Sequence, residues 1–208
     1  TRPYRGMKLE DIEILHALHE WKVEADYSSA VRLLEPFVRQ LEQKEDSLAN
    51  RNKYYRPLSY LKEKLLLWEI KQQVDSVNVS DSVRPYLKKD MLGGVYCDDG
   101  RRTYYWEGNQ MINTLIAYRI IKNDPSLCKL KENMQLYILR TKERGWNTYQ
   151  ASSAVATVLT DLLAGSGGMS GTLVSVSGKD HQRITEFPYH ARLTAGDSLL
   201  ISKTGKEP

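Results

Sequence analysis

Two histidines and a glutamate lie close together near the start of the sequence, in His16-Ala17-Leu18-His19-Glu20. Imidazole and carboxylate groups on one face of a helix are ligands that zinc accepts. Zinc-protease motifs, however, place their histidines four residues apart with a glutamate between them, whereas His16 and His19 are three apart. We therefore interpret this segment as the polar face of a helix and predict no metal site from it.

Two other short segments contain residue types that do chemistry in enzymes. Asp98-Asp99-Gly100 resembles the start of a calcium loop, but it lacks further oxygen ligands at alternating positions and a closing glutamate. Lys179-Asp180-His181 lies near several serines, but the sequence has no Gly-x-Ser-x-Gly turn to expose a nucleophile. We interpret the first segment as a turn, and we predict no catalytic residue and no cofactor-binding residue.

The two cysteines, Cys97 and Cys128, are isolated in the sequence. Neither has a second cysteine or a histidine at a spacing typical of metal ligands. Two free thiols are the simpler interpretation. A disulfide between them stays open, because sequence alone does not set their distance.

Aromatic side chains with a polar tip are more informative, since the chain has 13 Tyr and only 2 Phe. Such rings suit surfaces that are half in contact with water. They cluster where helices are predicted to begin, and the candidate surface comprises Tyr104, Tyr105, Trp106, Asn109, Trp146, Asn147 and Tyr149. One interpretation is a ligand site, for instance for a sugar, at one end of a helical barrel. The interpretation that we favour is packing of the loops over the helix ends.

The spacing of apolar residues predicts seven helices that carry these groups. Asp124-Pro125 and the pair Asn147 and Gln150 are specific helix-start signals, the second of them a capping box. Pro36 is expected to kink or interrupt the second helix, and residues 93–100 are expected to form a loop. The predicted helices cover residues 7–25, 27–48, 58–74, 83–87, 108–121, 125–142 and 147–163.

The end of the chain has a different pattern from its beginning. Seven of the 13 glycines lie in residues 165–208, where alternating segments at 171–177 and 197–202 predict strands and 183–193 offers a third. The fold class is therefore mainly α, with helical hairpins followed by a few antiparallel strands. We expect a helical domain over residues 1–164, and a glycine-serine linker with the start of a β domain over 165–208.

Composition excludes several classes of protein. Charged residues make up 27% of the 208 positions, which is too polar for a membrane bundle, and no segment suits direct membrane insertion. The net charge is only +4, with basic and acidic residues interleaved. A nucleic-acid surface needs basic residues segregated on one face, so we predict no nucleic-acid partner.

Two helix-start segments carry a resemblance to a known family. Residues 109–118 are similar to the form Asn-x-x-x-Thr-x-x-x-Ala-Tyr, although the threonine, Thr114, lies one position later than in that form. They are followed by Leu139-Arg140 and by Gly145-Trp146-Asn147-Thr148-Tyr149. This arrangement resembles the helical, thioester-type domain of bacterial α2-macroglobulin-like proteins, most specifically over residues 96–163. The second element also departs from the family pattern, because Trp146 and Asn147 are adjacent.

The resemblance implies an α/α toroid, or part of one that is incomplete at its N-terminus, within a longer extracytoplasmic protein of the periplasm or cell surface. Its function would be protease trapping or host-facing defence, and its partners would be neighbouring domains of the same polypeptide and a target protease. Covalent capture needs a Cys-Gly-Glu-Gln segment, which is absent here because Cys97 precedes Asp98 and Cys128 precedes Lys129. We therefore expect a non-catalytic domain without its own thioester.

Two alternatives remain. An α/α-toroid enzyme would need paired carboxylates or an acid-rich metal motif, and near the aromatic helix starts the sequence offers Glu107 and Asp161 besides the loop pair Asp98-Asp99. A binding module would take a glycan or another ligand at the aromatic helix ends.

Overall fold

The computed structural model describes residues 6–103, 110–142, 145–165, 173–177, 181–184 and 200–204. The chain divides into two compact units, Thr1–Val158 and Leu159–Pro208. The prediction of a domain boundary at residue 164 stays a prediction, because the glycine-serine segment that follows lies outside the described residues.

The first unit is built mainly from helices. Their bounds are α1 Glu10–Glu20, α2 Tyr27–Arg51, α3 Leu61–Val74, the short α4 Ser80–Val83, α5 Gln110–Ile121, α6 Cys128–Thr141 and α7 Thr148–Ala154. Single 3-10 turns, Arg84–Tyr86 and Pro125–Leu127, follow α4 and precede α6, and a π-helical turn, Val155–Leu159, continues α7. The structure thus confirms the mainly helical class with a few antiparallel strands.

Helices α2 and α3 form an antiparallel hairpin. Lys64, early in α3, pairs with Glu42 at 3.1 Å, whereas Lys71, about two helical turns later, pairs with the earlier Glu35 at 2.9 Å. A second antiparallel hairpin joins α5 to α6, because Gln135 donates to the Tyr118 hydroxyl and Thr141 contacts the Met111 sulfur. In both hairpins these side-chain pairs show that the two helices run in opposite directions.

Helix α5 is the centre of the first unit. Ten of its residues are buried, and it packs against α3, α6, α7 and the small sheet. A helix that is apolar all round has no solvent face, which is the expected pattern for a central helix. By contrast, α1 buries a single side chain fully, that of Ile12.

Pro36 does not interrupt α2, which runs unbroken from Tyr27 to Arg51. Proline removes one backbone hydrogen bond. The same helix buries Val31, Leu34 and Val38 against its neighbours. Tertiary burial therefore outweighs the local cost, as it commonly does for helices in proteins.

Part of the loop expected at residues 93–100 is a strand. Strand β2, Val95–Cys97, pairs antiparallel with β1, Leu87–Lys89, with Leu87 opposite Cys97. The Cys97 N–H donates to the Thr114 hydroxyl of α5 at 3.0 Å, which fixes the sheet on the central helix. The short strand lies between glycines, which is why its turn signals dominate the sequence pattern.

The second unit contains α8, Thr160–Gly165, and a three-stranded antiparallel sheet. Its strands are β3 Leu173–Ser177, β4 His181–Ile184 and β5 Leu200–Thr204, with β3 in the middle. Val176 of β3 lies opposite Gln182 on one side and Ile201 on the other.

Candidate functional site

The structure describes only part of the candidate aromatic surface. Tyr104, Tyr105, Trp106 and Asn109 lie outside the described residues, as does Glu107. Tyr149 lies in the first turn of α7. The aromatic surface as a ligand site therefore stays a prediction for its larger part.

The two members whose side chains are described stabilise the chain locally. Trp146 is half-buried, and its Nε1 donates to the Thr141 hydroxyl at the end of α6, at 2.9 Å. Asn147 accepts from the Gln150 N–H at 2.8 Å, while the Gln150 side chain accepts from the Asn147 N–H at 3.1 Å. This reciprocal pair confirms the predicted capping box, which satisfies two backbone donors at the start of α7.

A cluster of charged side chains joins three helices of the first unit. Glu69 of α3 accepts from Arg119 of α5 through two hydrogen bonds of 2.6 Å, one to each carboxylate oxygen. His16 of α1 lies on the same carboxylate, with Nε2 at 2.9 Å from Oε2. Glu20, one turn along α1, places an oxygen 3.9 Å from His16 Nε2. The cluster ties α1 and α5 to the buried face of α3.

Glu69 is ionised despite its burial, because its partners offset the free-energy cost of burying the charge. Its side chain is 4% exposed, and burial by itself raises the pKa of a carboxyl group. Hydrogen bonds and charge from Arg119, followed by those from His16, instead lower the pKa of Glu69 to about 2. The bidentate geometry is the arrangement in which an arginine holds a carboxylate most firmly.

The sequence interpretation of residues 16–20 as a polar helix face missed this cluster. His19 takes no part in it, since its ring packs edge-on against Tyr27 with centroids 5.0 Å apart. The missed partners carry a signal in the sequence, because Glu69 and Arg119 each interrupt an apolar run. Charged residues are almost never fully buried unless they are paired.

Two further acids are buried in the same unit. Glu45 accepts from the Tyr55 hydroxyl at 2.7 Å and from the Leu58 N–H at 2.9 Å, so it holds the α2–α3 connection against α2. Glu63 lies in the first turn of α3, where burial raises the pKa of its carboxyl group. Glu13 and Asp99 raise that pKa further, although the backbone N–H and Lys62 oppose them.

The acidic pair that resembles a calcium loop is engaged within the chain. Asp98 accepts from Lys88 at 3.0 Å and from the Gly100 N–H at 3.0 Å. Asp99 accepts from the Ser59 hydroxyl at 2.7 Å and from the Arg101 N–H at 3.0 Å. These contacts form the predicted turn and also join it to Ser59, just before the start of α3.

The cysteines are free thiols with different surroundings. Cys97 is buried and Cys128 is exposed, and no disulfide joins them. Burial, together with the neighbouring Asp98 and Asp99, raises the pKa of Cys97 to about 12. A thiol with so high a pKa is not a nucleophile near neutral pH, because the thiolate is the reactive form.

Helix α1 presents an apolar row to solvent on the side away from Ile12. Ile14, Ala17 and Trp21 are all exposed and follow one another at helical spacing, with Trp21 being 78% exposed. The backbone of Trp21 is fixed at the end of α1, since its backbone N–H donates to the Ala17 carbonyl at 3.0 Å. Lys22 follows with φ +56°, a left-handed conformation that costs a non-glycine residue about 1 kcal/mol. We call Ile14, Ala17 and Trp21 the α1 row.

No protein-family model matches the sequence, and neither a curated protein nor a solved structure is significantly similar to the chain. The resemblance to α2-macroglobulin-like proteins therefore rests on the motifs at residues 109–118 and 139–149 alone. Among the residues that the structure describes, no helix is both long and apolar enough to cross a membrane.

Proposed function

We propose that the chain is a non-catalytic helical domain that acts by packing against other protein surfaces. In this proposal it belongs to a larger, extracytoplasmic α2-macroglobulin-like protein and contributes to protease inhibition by trapping. The domain has no thioester of its own, so its role would be to take part, through its packing contacts, in the conformational change that traps the protease.

The observation that carries the non-catalytic part is the use of buried polar groups. The Glu69 carboxylate is occupied by Arg119 and His16, and Glu45 is occupied by the chain that leads into α3. Catalytic acids and bases need a pKa near the working pH and access to a substrate. The pKa of Glu69, at about 2, and that of Cys97, at about 12, lie far from the working pH. Burial raises the pKa of Glu63, but the same burial leaves that side chain little access to a substrate.

The α1 row supports the binding part of the proposal. Tryptophan is the residue most enriched at the energetic centres of protein interfaces. Trp21 is largely exposed, and Ile14 extends the apolar surface along the same helix. We assign the α1 row to a contact with a neighbouring domain of the same polypeptide.

The helical hairpins and the capping box at Asn147 are compatible with the resemblance that suggests the family. The alternative of a glycan enzyme or a glycan-binding module gains no support from the described members of the aromatic surface. Trp146 bonds to Thr141 and Asn147 caps α7, so both polar groups are used within the chain.

The test uses the full-length parent protein and a broad-specificity protease. The proposal predicts one discrete cleavage, followed by a change in hydrodynamic radius and retention of the protease with the cleaved protein. Cleavage that is scattered over many sites, without a change of shape, would contradict trapping. A catalytically inactive form of the protease is the matched control, and it should leave the radius unchanged.

A further inference from the structure

Three potential metal ligands meet where α1 packs against α3. The Nε2 atom of His16, a carboxylate oxygen of Glu20 and a carboxylate oxygen of Glu69 all lie within 4.8 Å of one another. Within the part of the chain that the structure describes, this is the one group of three such side chains. One nitrogen and two carboxylates are a donor set that zinc accepts, and histidine is not a ligand of calcium or magnesium.

The helices arrange these groups without distortion of the backbone. His16 and Glu20 are four residues apart in α1, so their side chains leave the same face of the helix. Glu69 projects from α3 towards that face, and its Oε2 atom lies 2.9 Å from His16 Nε2. The two carboxylates therefore approach the imidazole from different helices.

The distances between the ligand atoms are close to those that a single zinc ion requires. Zinc lies about 2.0–2.2 Å from nitrogen and oxygen ligands, so neighbouring ligands of one ion are roughly 3–3.5 Å apart. The His16–Glu69 distance is already 2.9 Å, and the His16–Glu20 distance is 3.9 Å. Glu20 is 50% exposed, so a change of its side-chain rotamer closes the difference and leaves room for water on the ion.

Arg119 positions one ligand instead of blocking the group. It donates one hydrogen bond to each oxygen of Glu69, and the remaining lone pair of Oε2 accepts from His16 Nε2. Zn²⁺ would take the place of the proton on Nε2, so binding releases that proton and breaks this hydrogen bond. Carboxylate ligands of metal sites are usually held by such outer hydrogen bonds. Two carboxylates and one guanidinium give a net charge of −1, so the group attracts a cation.

We propose that His16, Glu20 and Glu69 bind Zn²⁺ and that the ion fixes α1 on α3. Helix α1 needs such a tie, because Ile12 is its one fully buried side chain. The remaining contacts of α1 with α3 include polar pairs such as that between Lys62 and Glu13. An ion bound across the two helices stabilises the folded state in proportion to its concentration.

The experiment is a calorimetric titration of Zn²⁺ into the full 208-residue chain, with thermal unfolding measured in parallel. Cys128→Ser is used as the background, since the exposed thiol is a competing ligand. Glu20→Gln is the test variant, because Glu20 is half-exposed and the fold tolerates its replacement. Glu10→Gln is the matched control on the same helix, where Glu10 is exposed.

The proposal predicts one Zn²⁺ per chain and a higher unfolding temperature with zinc. Glu20→Gln should weaken binding by roughly tenfold or more, whereas Glu10→Gln should leave it unchanged. Absence of binding, or binding that Glu20→Gln does not weaken, would overturn the proposal. His16→Gln, checked for helical content by circular dichroism, should abolish the same binding, and retained binding in that variant would also overturn it.

Discussion

The carboxylate of Glu69 and the guanidinium of Arg119 face each other across α3 and α5 through two hydrogen bonds of 2.6 Å. The two residues are fifty positions apart in the sequence, and Glu69 is almost completely buried. His16 adds a third helix to the same carboxylate. This pair sets the relative position of the helices around the central α5, and several measurable consequences arise from it.

Removal of Arg119 should destabilise the fold strongly. Arg119→Met leaves the buried charge of Glu69 without its main partner, for which a loss of about 3–5 kcal/mol is typical. Urea unfolding of the wild type and the variant measures the difference. Adding Glu69→Gln to Arg119→Met should recover part of the loss, because the uncompensated charge is then gone. Lys129→Ala, in the exposed pair with Glu132, should change little and serves as the control.

The free energy of unfolding should depend on pH below about 4.5, because Glu69 becomes protonated there. Its pKa is lowered from 4.5 to about 2, so its ionised form stabilises the folded state above about pH 4.5. That contribution, about 3 kcal/mol at about 1.4 kcal/mol per pKa unit, is lost as the pH falls to about 2. Glu69→Gln lacks this contribution at every pH. The stability difference between wild type and Glu69→Gln should therefore shrink from pH 4.5 to pH 2, and a constant difference would contradict the assignment.

The two thiols should react differently with a disulfide reagent. Cys128 is exposed and should be labelled in the native protein, whereas Cys97 is buried with its pKa raised to about 12 and should react only after unfolding. A chromogenic thiol assay before and after addition of denaturant counts one and then two thiols. The variant Cys128→Ser should give no native labelling, and labelling of Cys97 in that variant would show that the second strand opens readily.

Loss of the capping box at α7 should lower the free energy of unfolding by a moderate amount. Asn147→Ala removes the acceptor for the Gln150 N–H, and replacement of such a cap by alanine costs about 0.5–2 kcal/mol. Chemical unfolding followed by circular dichroism measures the loss. Asn123→Ala is the control, since Asn123 is an exposed residue of the turn after α5. Equal effects of the two substitutions would argue against a capping role for Asn147.

Local signals in the sequence predict local structure well in this chain. The capping box at Asn147 and the start at Asp124-Pro125 depend on residues within three positions of each other, and both appear as predicted. Apolar spacing locates the helices. The local rule for proline does not decide whether α2 is interrupted at Pro36, since burial against distant parts of the chain lets the helix continue. The strand Val95–Cys97 was missed because it is three residues long and flanked by glycine.

The charged cluster is the part that sequence reasoning could not assemble. Periodicity indicates which face of α3 is buried, but not that Arg119 arrives opposite Glu69 from a later helix. Partner identity over fifty residues depends on tertiary packing. The sequence does show one charged residue inside each of two apolar runs, Glu69 and Arg119. This pattern indicates that both are buried and need a partner, but not that they pair with each other.

The surroundings of Trp21 test the proposed function most directly. Hydroxyl-radical footprinting with mass spectrometry compares the oxidation rate of Trp21 in the isolated chain, in the intact parent protein and in the protease-cleaved parent. Met91, which is fully exposed at the tip of the β1–β2 hairpin, is the internal reference. A domain that acts by packing predicts fast oxidation of Trp21 in the isolated chain, several-fold protection in the intact parent, and a changed rate after cleavage. The same rate in all three samples would contradict the proposal.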